Sequence, residues 1–148
     1  MAINLLELYS LVEEEGIEID DFRLCSVASI SEMESDLTCH IALDSQQLHT
    51  TAEEKVALAH EYGHCATGAF YNRYSPFDSR ARDERHANKK AVYTLIPLGE
   101  LIDALHSPWN SVYDLSEHFT VTEDFMRWAL EYYEWELREA FAREGDSL

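Results

Sequence analysis

The sequence predicts a single α+β domain in which a small antiparallel sheet packs against a long helix, with further helices after it. Three features support this prediction. The length of 148 residues is usual for one domain, and the 46% hydrophobic content is enough for an ordinary core. The segments at residues 23–30 and 37–43 are rich in β-branched and small apolar residues, whereas the apolar residues of several later segments recur at helical spacing.

The N-terminal segment, residues 2–15, has the pattern of an amphipathic helix. Its apolar residues recur at helical spacing, at Leu5, Leu8, Tyr9 and Val12. Gly16 is expected to close this helix. Residues 17–19 then alternate briefly in polarity and lead into a loop.

Two strands are predicted next, at residues 23–30 and 37–43, because both segments are rich in β-branched and small apolar residues. The polar connection between them, residues 31–36, is short. We therefore expect the two strands to be antiparallel neighbours.

A long helix is predicted from Thr50 or Thr51 to about Thr67. Each threonine has a glutamate three residues on, as in a capping box, and Gly68 follows the last helical residue. Residues 70–79 have the composition of a loop. Further helices are predicted at residues 80–96, 98–105, 112–119 and about 122–142, the first of them ending at Pro97.

Composition argues against nucleic acid and membranes as partners. The net charge of −18 repels phosphate and anionic lipid, and no apolar run approaches the roughly 20 residues of a membrane span. No signal peptide is recognisable. The odd number of cysteines, without a CxxC pair, favours free thiols in a reducing compartment, at Cys25, Cys39 and Cys65. We expect a cytoplasmic protein with a protein or peptide partner.

His60, Glu61 and His64 form an HExxH pattern inside the long predicted helix. Residues four apart lie on one helical face, so both imidazoles can reach one metal ion. Zinc suits two imidazoles and a carboxylate with a fourth position open for water, and Glu61 is the candidate general base. The alternative is a pair of histidines on a solvated face. The apolar flanks disfavour it, and so does Gly63, whose cost within a helix invites a close-packing or metal-access reason.

Glu84 is the strongest candidate for a third metal ligand. It shares one face of the helix predicted over residues 80–96 with Asn88, which is placed to hydrogen-bond a ligand histidine. A solvated charge at Glu84 remains the alternative. Rival ligands are Asp83, His86 and Cys65.

The segments around these residues resemble the ImmA/IrrE family of metallopeptidases. That family has LAHELGH, then ExxAN, then an apolar stretch ending LLMP; this chain has LAHEYGH from residue 58 and ERHAN from residue 84. An apolar stretch ending at Pro97 follows, so the likeness covers about residues 37–97. The chain departs from the family at Lys89-Lys90, where an aromatic residue is frequent before the next alanine, and in a weaker likeness to LLMP.

The resemblance implies a zincin-like domain of the gluzincin type, with His60, His64 and Glu84 as zinc ligands and Glu61 as catalytic base. It also implies an endopeptidase that cleaves a regulatory protein, such as the cognate helix-turn-helix repressor of a phage or mobile element. Because some members serve in stress responses or toxin–antitoxin pairs, a regulator that binds a partner without cutting it is the alternative.

We expect one metallopeptidase domain over residues 1–148, with a catalytic core at about 37–97 and a helical region at about 98–142. An unfolded peptide is expected to bind the sheet edge as an added strand.

The C-terminal region carries two further patterns. Residues 114–125 have the shape of a helix-turn-helix, but six acids against three arginines in residues 122–143 would repel DNA, which favours packing or partner binding. The aromatic residues of the last helix are candidates for core, for a docking face or for contact with a second copy, at Phe125, Trp128, Tyr132, Tyr133 and Trp135. Candidates for polarising a scissile carbonyl are Tyr71, Tyr74, Arg80 and Arg82.

Overall fold

The computed structural model describes residues 2–70 and 75–146 and has the predicted α+β composition. Within these residues, six helices accompany a three-stranded sheet. In chain order the elements are α1 (Leu5–Glu14), β1 (Glu18–Asp21), β2 (Ser29–Met33), β3 (Cys39–Leu43), α2 (Thr51–Thr67), α3 (Phe77–Leu95), α4 (Leu98–Leu105), α5 (Val112–Phe119) and α6 (Glu123–Asp146).

The sheet is mixed, so the prediction of an antiparallel sheet is wrong in part. Its strand order is β1-β3-β2. The predicted antiparallel pair is present as β2 and β3, but β1 lies along the other side of β3 in parallel, with Ile19 opposite Ile41. Residues 17–19 alternate too briefly for periodicity to identify a strand of four residues there.

Before β2, the backbone around Leu24 is held by side chains and not by strand pairing. The strand predicted over residues 23–30 begins only at Ser29. In the residues before Ser29, the N–H of Leu24 and the guanidinium of Arg23 donate hydrogen bonds to the Asp44 side chain, at 2.9 Å and 2.5 Å. The side-chain amide of Gln47 donates to the Leu24 carbonyl at 2.7 Å. These polar contacts satisfy backbone groups that a strand would otherwise pair.

The predicted ends of α2 agree with the structure. Thr50 is the N-cap and accepts from the N–H of Glu53, and Gly68 ends the helix with a φ of 68°. The start of α3 was predicted too late, since residues 77–79 are helical and Pro76 precedes them. The last helix continues to Asp146, beyond its predicted end at about residue 142.

Cys39 and Cys65 form a disulfide, so the prediction of three free thiols is wrong and Cys25 alone is free. Cys39 begins β3 and Cys65 lies in the last turn of α2, with their Cα atoms 5.9 Å apart. Their proximity depends on how α2 lies on the sheet, which the spacing of 26 residues does not reveal. The disulfide also removes the thiol argument for a reducing compartment.

α2 lies at the centre of the molecule and contacts α1, β2, β3 and α3. Its buried lysine, Lys55, is 1% exposed and donates from Nζ to the carbonyl of Phe119 at 2.6 Å, at the C-terminal end of α5. The apolar residues of the α5–α6 pair are buried in the core, including Leu115, Phe119, Phe125 and Met126. No helix in the described part of the chain is long and apolar enough to cross a membrane.

Candidate metal centre

The site is built where α2 and α3 approach closely at Gly63. A Cβ at this position would overlap the backbone carbonyl oxygen of Ala87 and would lie 2.9 Å from its Cα atom. Close packing therefore explains the glycine inside the helix. Because Ala87 lies against α2, its neighbours Glu84 and Asn88 are brought opposite His64 and His60.

Three donor groups, the imidazoles of His60 and His64 and the carboxylate of Glu84, form a small triangle. The two Nε2 atoms are 3.2 Å apart. Glu84 Oε2 lies 3.0 Å from His60 Nε2, and Glu84 Oε1 lies 3.2 Å from His64 Nε2. A tetrahedral zinc ion with bonds of about 2.0–2.2 Å separates its ligand atoms by about 3.3–3.6 Å. The three donors therefore lie close to the spacing of a tetrahedral site.

The other ring nitrogen of each histidine contacts an oxygen acceptor. His60 Nδ1 is 2.8 Å from Asn88 Oδ1, and His64 Nδ1 contacts the carbonyl oxygen of Ala69. Each Nδ1 therefore donates, which leaves a lone pair on each Nε2 facing the carboxylate of Glu84. Two lone pairs and an anion facing one another are unfavourable unless a cation lies between them, so the donor set fits a divalent metal ion.

The electrostatics of the histidines agree with this interpretation. Burial lowers the pKa of His60, but the hydrogen bond to Glu84 and the charges of Glu61 and Glu84 outweigh it and raise the pKa above its usual value. For His64, burial likewise lowers the pKa, and the contacts with Glu84 and the Ala69 carbonyl raise it more. The negative charge that raises these two pKa values also attracts a metal cation to the space between the rings and Glu84.

Glu61 follows the first histidine and is 5% exposed. Its carboxylate accepts a hydrogen bond from Ser29 Oγ at 2.7 Å and another from Ser31 Oγ at 2.8 Å. These two serines were not among the residues predicted for the site. The signal available in the sequence was the alternation of Ser29, Ile30 and Ser31, which puts the two serines on one face of a strand.

A cleft of about 480 Å³ opens over the triangle. One wall is β2 with the residues just before it, and another is Phe70. The side chain of Glu61 lines the same cleft as the three candidate ligands. A water molecule or a short peptide segment in this space would be within reach of all four groups.

The rival ligands do not converge on this point. Among the described residues, the group of side chains that could hold a metal is His60, His64 and Glu84. Cys65 is in the disulfide, and His86 is exposed on another face of α3. Of the candidates for polarising a carbonyl, Tyr71 and Tyr74 lie outside the described residues, and Arg80 and Arg82 are not among the described residues that line the cleft.

Comparison with known proteins gave one family. The model of the Peptidase_M78 family, described as the IrrE N-terminal-like domain, matches residues 32–131, more than half of the chain. The matched region contains both histidines, Glu61, Glu84 and Asn88. No curated protein matches the chain.

Proposed function

The chain belongs to the Peptidase_M78 family, the ImmA/IrrE metallopeptidases, as its motifs predicted, and on this premise we propose that it is a zinc-dependent endopeptidase of the gluzincin type. The observation that carries the proposal is the convergence of two imidazole nitrogens and one carboxylate on a single point, with Glu61 beside it. A donor set of two neutral imidazoles and a carboxylate binds zinc in preference to magnesium or calcium, which favour oxygen ligands.

Each residue of the site has one role in this proposal. His60, His64 and Glu84 hold the ion, and Asn88 fixes the tautomer of His60 through Nδ1. The bound ion supplies Lewis acidity, which polarises a carbonyl and eases the ionisation of water. Glu61 accepts the proton of the attacking water and passes it to the nitrogen of the leaving amine.

The edge of the sheet offers a way to bind the substrate. In the described part of the chain β2 pairs only with β3, so its other side is free. β2 also forms a wall of the cleft. An extended segment that adds to this edge as a strand would cross the site, held by backbone hydrogen bonds. The substrate must therefore present an unfolded or locally opened segment.

We propose a regulatory protein as the substrate, namely the cognate helix-turn-helix repressor of a phage or mobile element. The family relationship and the charge of the chain support this choice. At a net charge of −18, the chain attracts a basic partner such as a DNA-binding protein, and it repels nucleic acid and anionic membranes. We therefore also propose a cytoplasmic location, because such a repressor works in the cytoplasm.

Cleavage of a candidate repressor tests this function. The wild-type protein, incubated with the repressor encoded by a neighbouring gene, is expected to cut it at a defined bond with zinc and not with a chelator. Glu61→Gln should abolish cleavage and retain about one zinc ion per chain, because Glu61 is not a ligand. Glu14→Gln, an exposed change on α1, is the matched control. A Glu61→Gln variant that cuts as fast as wild type would contradict the assignment of the base.

A regulator that binds without cutting, or a component of a toxin–antitoxin pair, is the second candidate function. The exposed aromatic residues of α6 favour it, since Trp135 is 58% exposed and Phe141 is 69% exposed. The aromatic helix α6 is also the candidate contact for a homo-oligomer. Stable, zinc-independent binding of the repressor without cleavage by the wild-type protein would favour this candidate over the peptidase.

A further inference from the structure

The face of β2 that lies against α2 carries serines where a strand packed on a buried helix normally carries apolar residues. Ser29 and Ser31 are two residues apart, so their side chains share one face of the strand. Ile30, between them, is 50% exposed. In this part of β2 the polar side chains therefore face the interior and the apolar side chain faces solvent, the reverse of the usual arrangement. The polar group that the two serines meet inside is Glu61.

Both carboxylate oxygens of Glu61 have their own hydroxyl donor. Ser29 donates to Oε2 at 2.7 Å, and Ser31 donates to Oε1 at 2.8 Å. A carboxylate this buried needs such donors, because burying an unpaired charge is costly. Two donors on different oxygens also fix the rotation of the carboxylate, which a single contact would leave free.

The backbone of the same two serines faces the free edge of the sheet. The N–H of Asp44 donates to the carbonyl of Ala28 at 2.8 Å, so Ala28 belongs to a hydrogen-bonded pair of the antiparallel ladder. Such pairs alternate with pairs that exchange no hydrogen bonds. Ser29 and Ser31, one and three residues further on, fall in the second class. Their N–H and C=O groups therefore point away from β3, toward the side of β2 on which the described part of the chain has no strand.

We propose that Ser29 and Ser31 are positioning residues for Glu61. Through them, β2 fixes the position of the base relative to the backbone of the bound substrate. The inference rests on the proposed function, in which Glu61 is the base and a peptide pairs with β2. Each serine directs its hydroxyl to Glu61 and its peptide groups to the substrate. A small shift of the strand would move both together and preserve the distance between the proton acceptor and the scissile bond.

Family membership does not assign this role. The matched region begins at residue 32, just after both serines. The role follows from their contacts with Glu61 and from the register of β2 on β3.

Alanine substitutions test the role in catalysis. Ser29→Ala and Ser31→Ala should each lower kcat about tenfold, and together about a hundredfold, which is part of the roughly 10²–10⁴-fold that a positioned base contributes. KM for the cleaved repressor should change less than about twofold, because the backbone groups that pair with the substrate remain. Ser29→Thr and Ser31→Thr keep the hydroxyl and should recover most of kcat. Ser26→Ala, an exposed serine three residues upstream, is the matched control.

A measurement without substrate separates this inference from the proposed function. The zinc-loaded protein is labelled with ¹³C at the side-chain carboxyl carbons of glutamate. The resonance of Glu61 is assigned as the one that is absent from the spectrum of Glu61→Gln. This resonance should move in both alanine variants, return in the threonine variants and stay in place in Ser26→Ala.

Each contrary outcome has its own meaning. A resonance that stays in place in both alanine variants would overturn the contact. Unchanged kcat in the alanine variants, with Glu61→Gln inactive, would overturn the positioning role and leave the peptidase proposal intact. An active Glu61→Gln would instead remove the peptidase proposal on which the inference rests.

Discussion

The hydrogen bond from Nδ1 of each histidine fixes the tautomer and the orientation of the ring, so that Nε2 can bind a cation. His64 uses the backbone carbonyl of Ala69, which substitution does not remove, whereas His60 uses the side chain of Asn88. Asn88→Ala removes this acceptor and frees the His60 ring to rotate and to change tautomer. We expect zinc affinity to fall by about 10–100-fold, as measured by competition with a chromophoric chelator.

Asn88→Asp is the matched control for this change, because it keeps an oxygen acceptor at the same place. Its zinc affinity should remain closer to that of the wild type. Equal affinities in wild type and Asn88→Ala would show that the His60–Asn88 contact does not orient the ligand.

Asp44 makes a pH-dependent contribution to stability. Hydrogen bonds from the Gln47 side chain and the Leu24 N–H lower its pKa from 3.8 to about 2. Because the folded state binds this proton less tightly than the unfolded chain, ionised Asp44 stabilises the fold above about pH 4. This contribution is lost as the pH falls through about 2, the folded pKa.

Chemical denaturation of wild type and Asp44→Asn from about pH 6 to about pH 2 measures this effect. The difference in unfolding free energy should be constant down to about pH 4 and then shrink. Ser26→Ala, at an exposed position, removes no titratable group and should differ from wild type by the same amount at every pH. A difference that persists unchanged at the acid end would rule out the assigned role of Asp44.

The grouping of His60, His64 and Glu84 at the candidate metal centre was predictable because the motif is local. The histidines lie four apart on one helix, and Glu84 and Asn88 lie four apart on the next. Ser29 and Ser31 were not predictable, because they are 32 and 30 residues from Glu61 and their contact requires the placement of β2 beside α2.

Among the secondary structure elements, the crossing of α2 and α3 is the contact on which the site depends. Gly63→Ala would place a methyl group against the Ala87 backbone, so the two helices must separate. We expect a loss of about 1–3 kcal/mol in the free energy of unfolding, and weaker zinc binding because Glu84 moves away from the histidines. Denaturation and chelator competition on one variant measure both effects.

Gly99→Ala is the matched control. Gly99 lies in α4, and a Cβ there would meet nothing within 4 Å. Stability should stay the same or rise by up to about 1 kcal/mol, since alanine is the better helix former. If Gly63→Ala behaved like Gly99→Ala, the close approach of α2 and α3 would not be a constraint.

The ends of several elements were predictable because capping is local. α5 spans Val112–Phe119 as predicted, and Ser111 forms a capping box with Asp114 at its start. β1 was missed because its four residues acquire a partner only when β3 lies beside them. The loop before β2 was mistaken for a strand because its composition is apolar, whereas Asp44 sets its conformation.

For the molecule as a whole, the sequence predicted the α+β class and the family, since both depend on repeated local patterns. The disulfide was not predicted, because it joins β3 to α2 across 26 residues and depends on their packing. One domain over residues 1–148 stays a prediction. The net charge of −18 was readable from composition and favours a basic protein partner.

The proposed chemistry depends on one metal ion bound between His60, His64 and Glu84. Diffraction at the zinc absorption edge from crystals of the zinc-loaded protein tests this most directly. We expect a single anomalous peak about 2.0–2.2 Å from both Nε2 atoms and from a Glu84 carboxylate oxygen. The peak should be lost in Glu84→Gln and kept in Asp83→Asn, the adjacent carboxylate. A peak elsewhere, or one that survives in Glu84→Gln, would contradict the site.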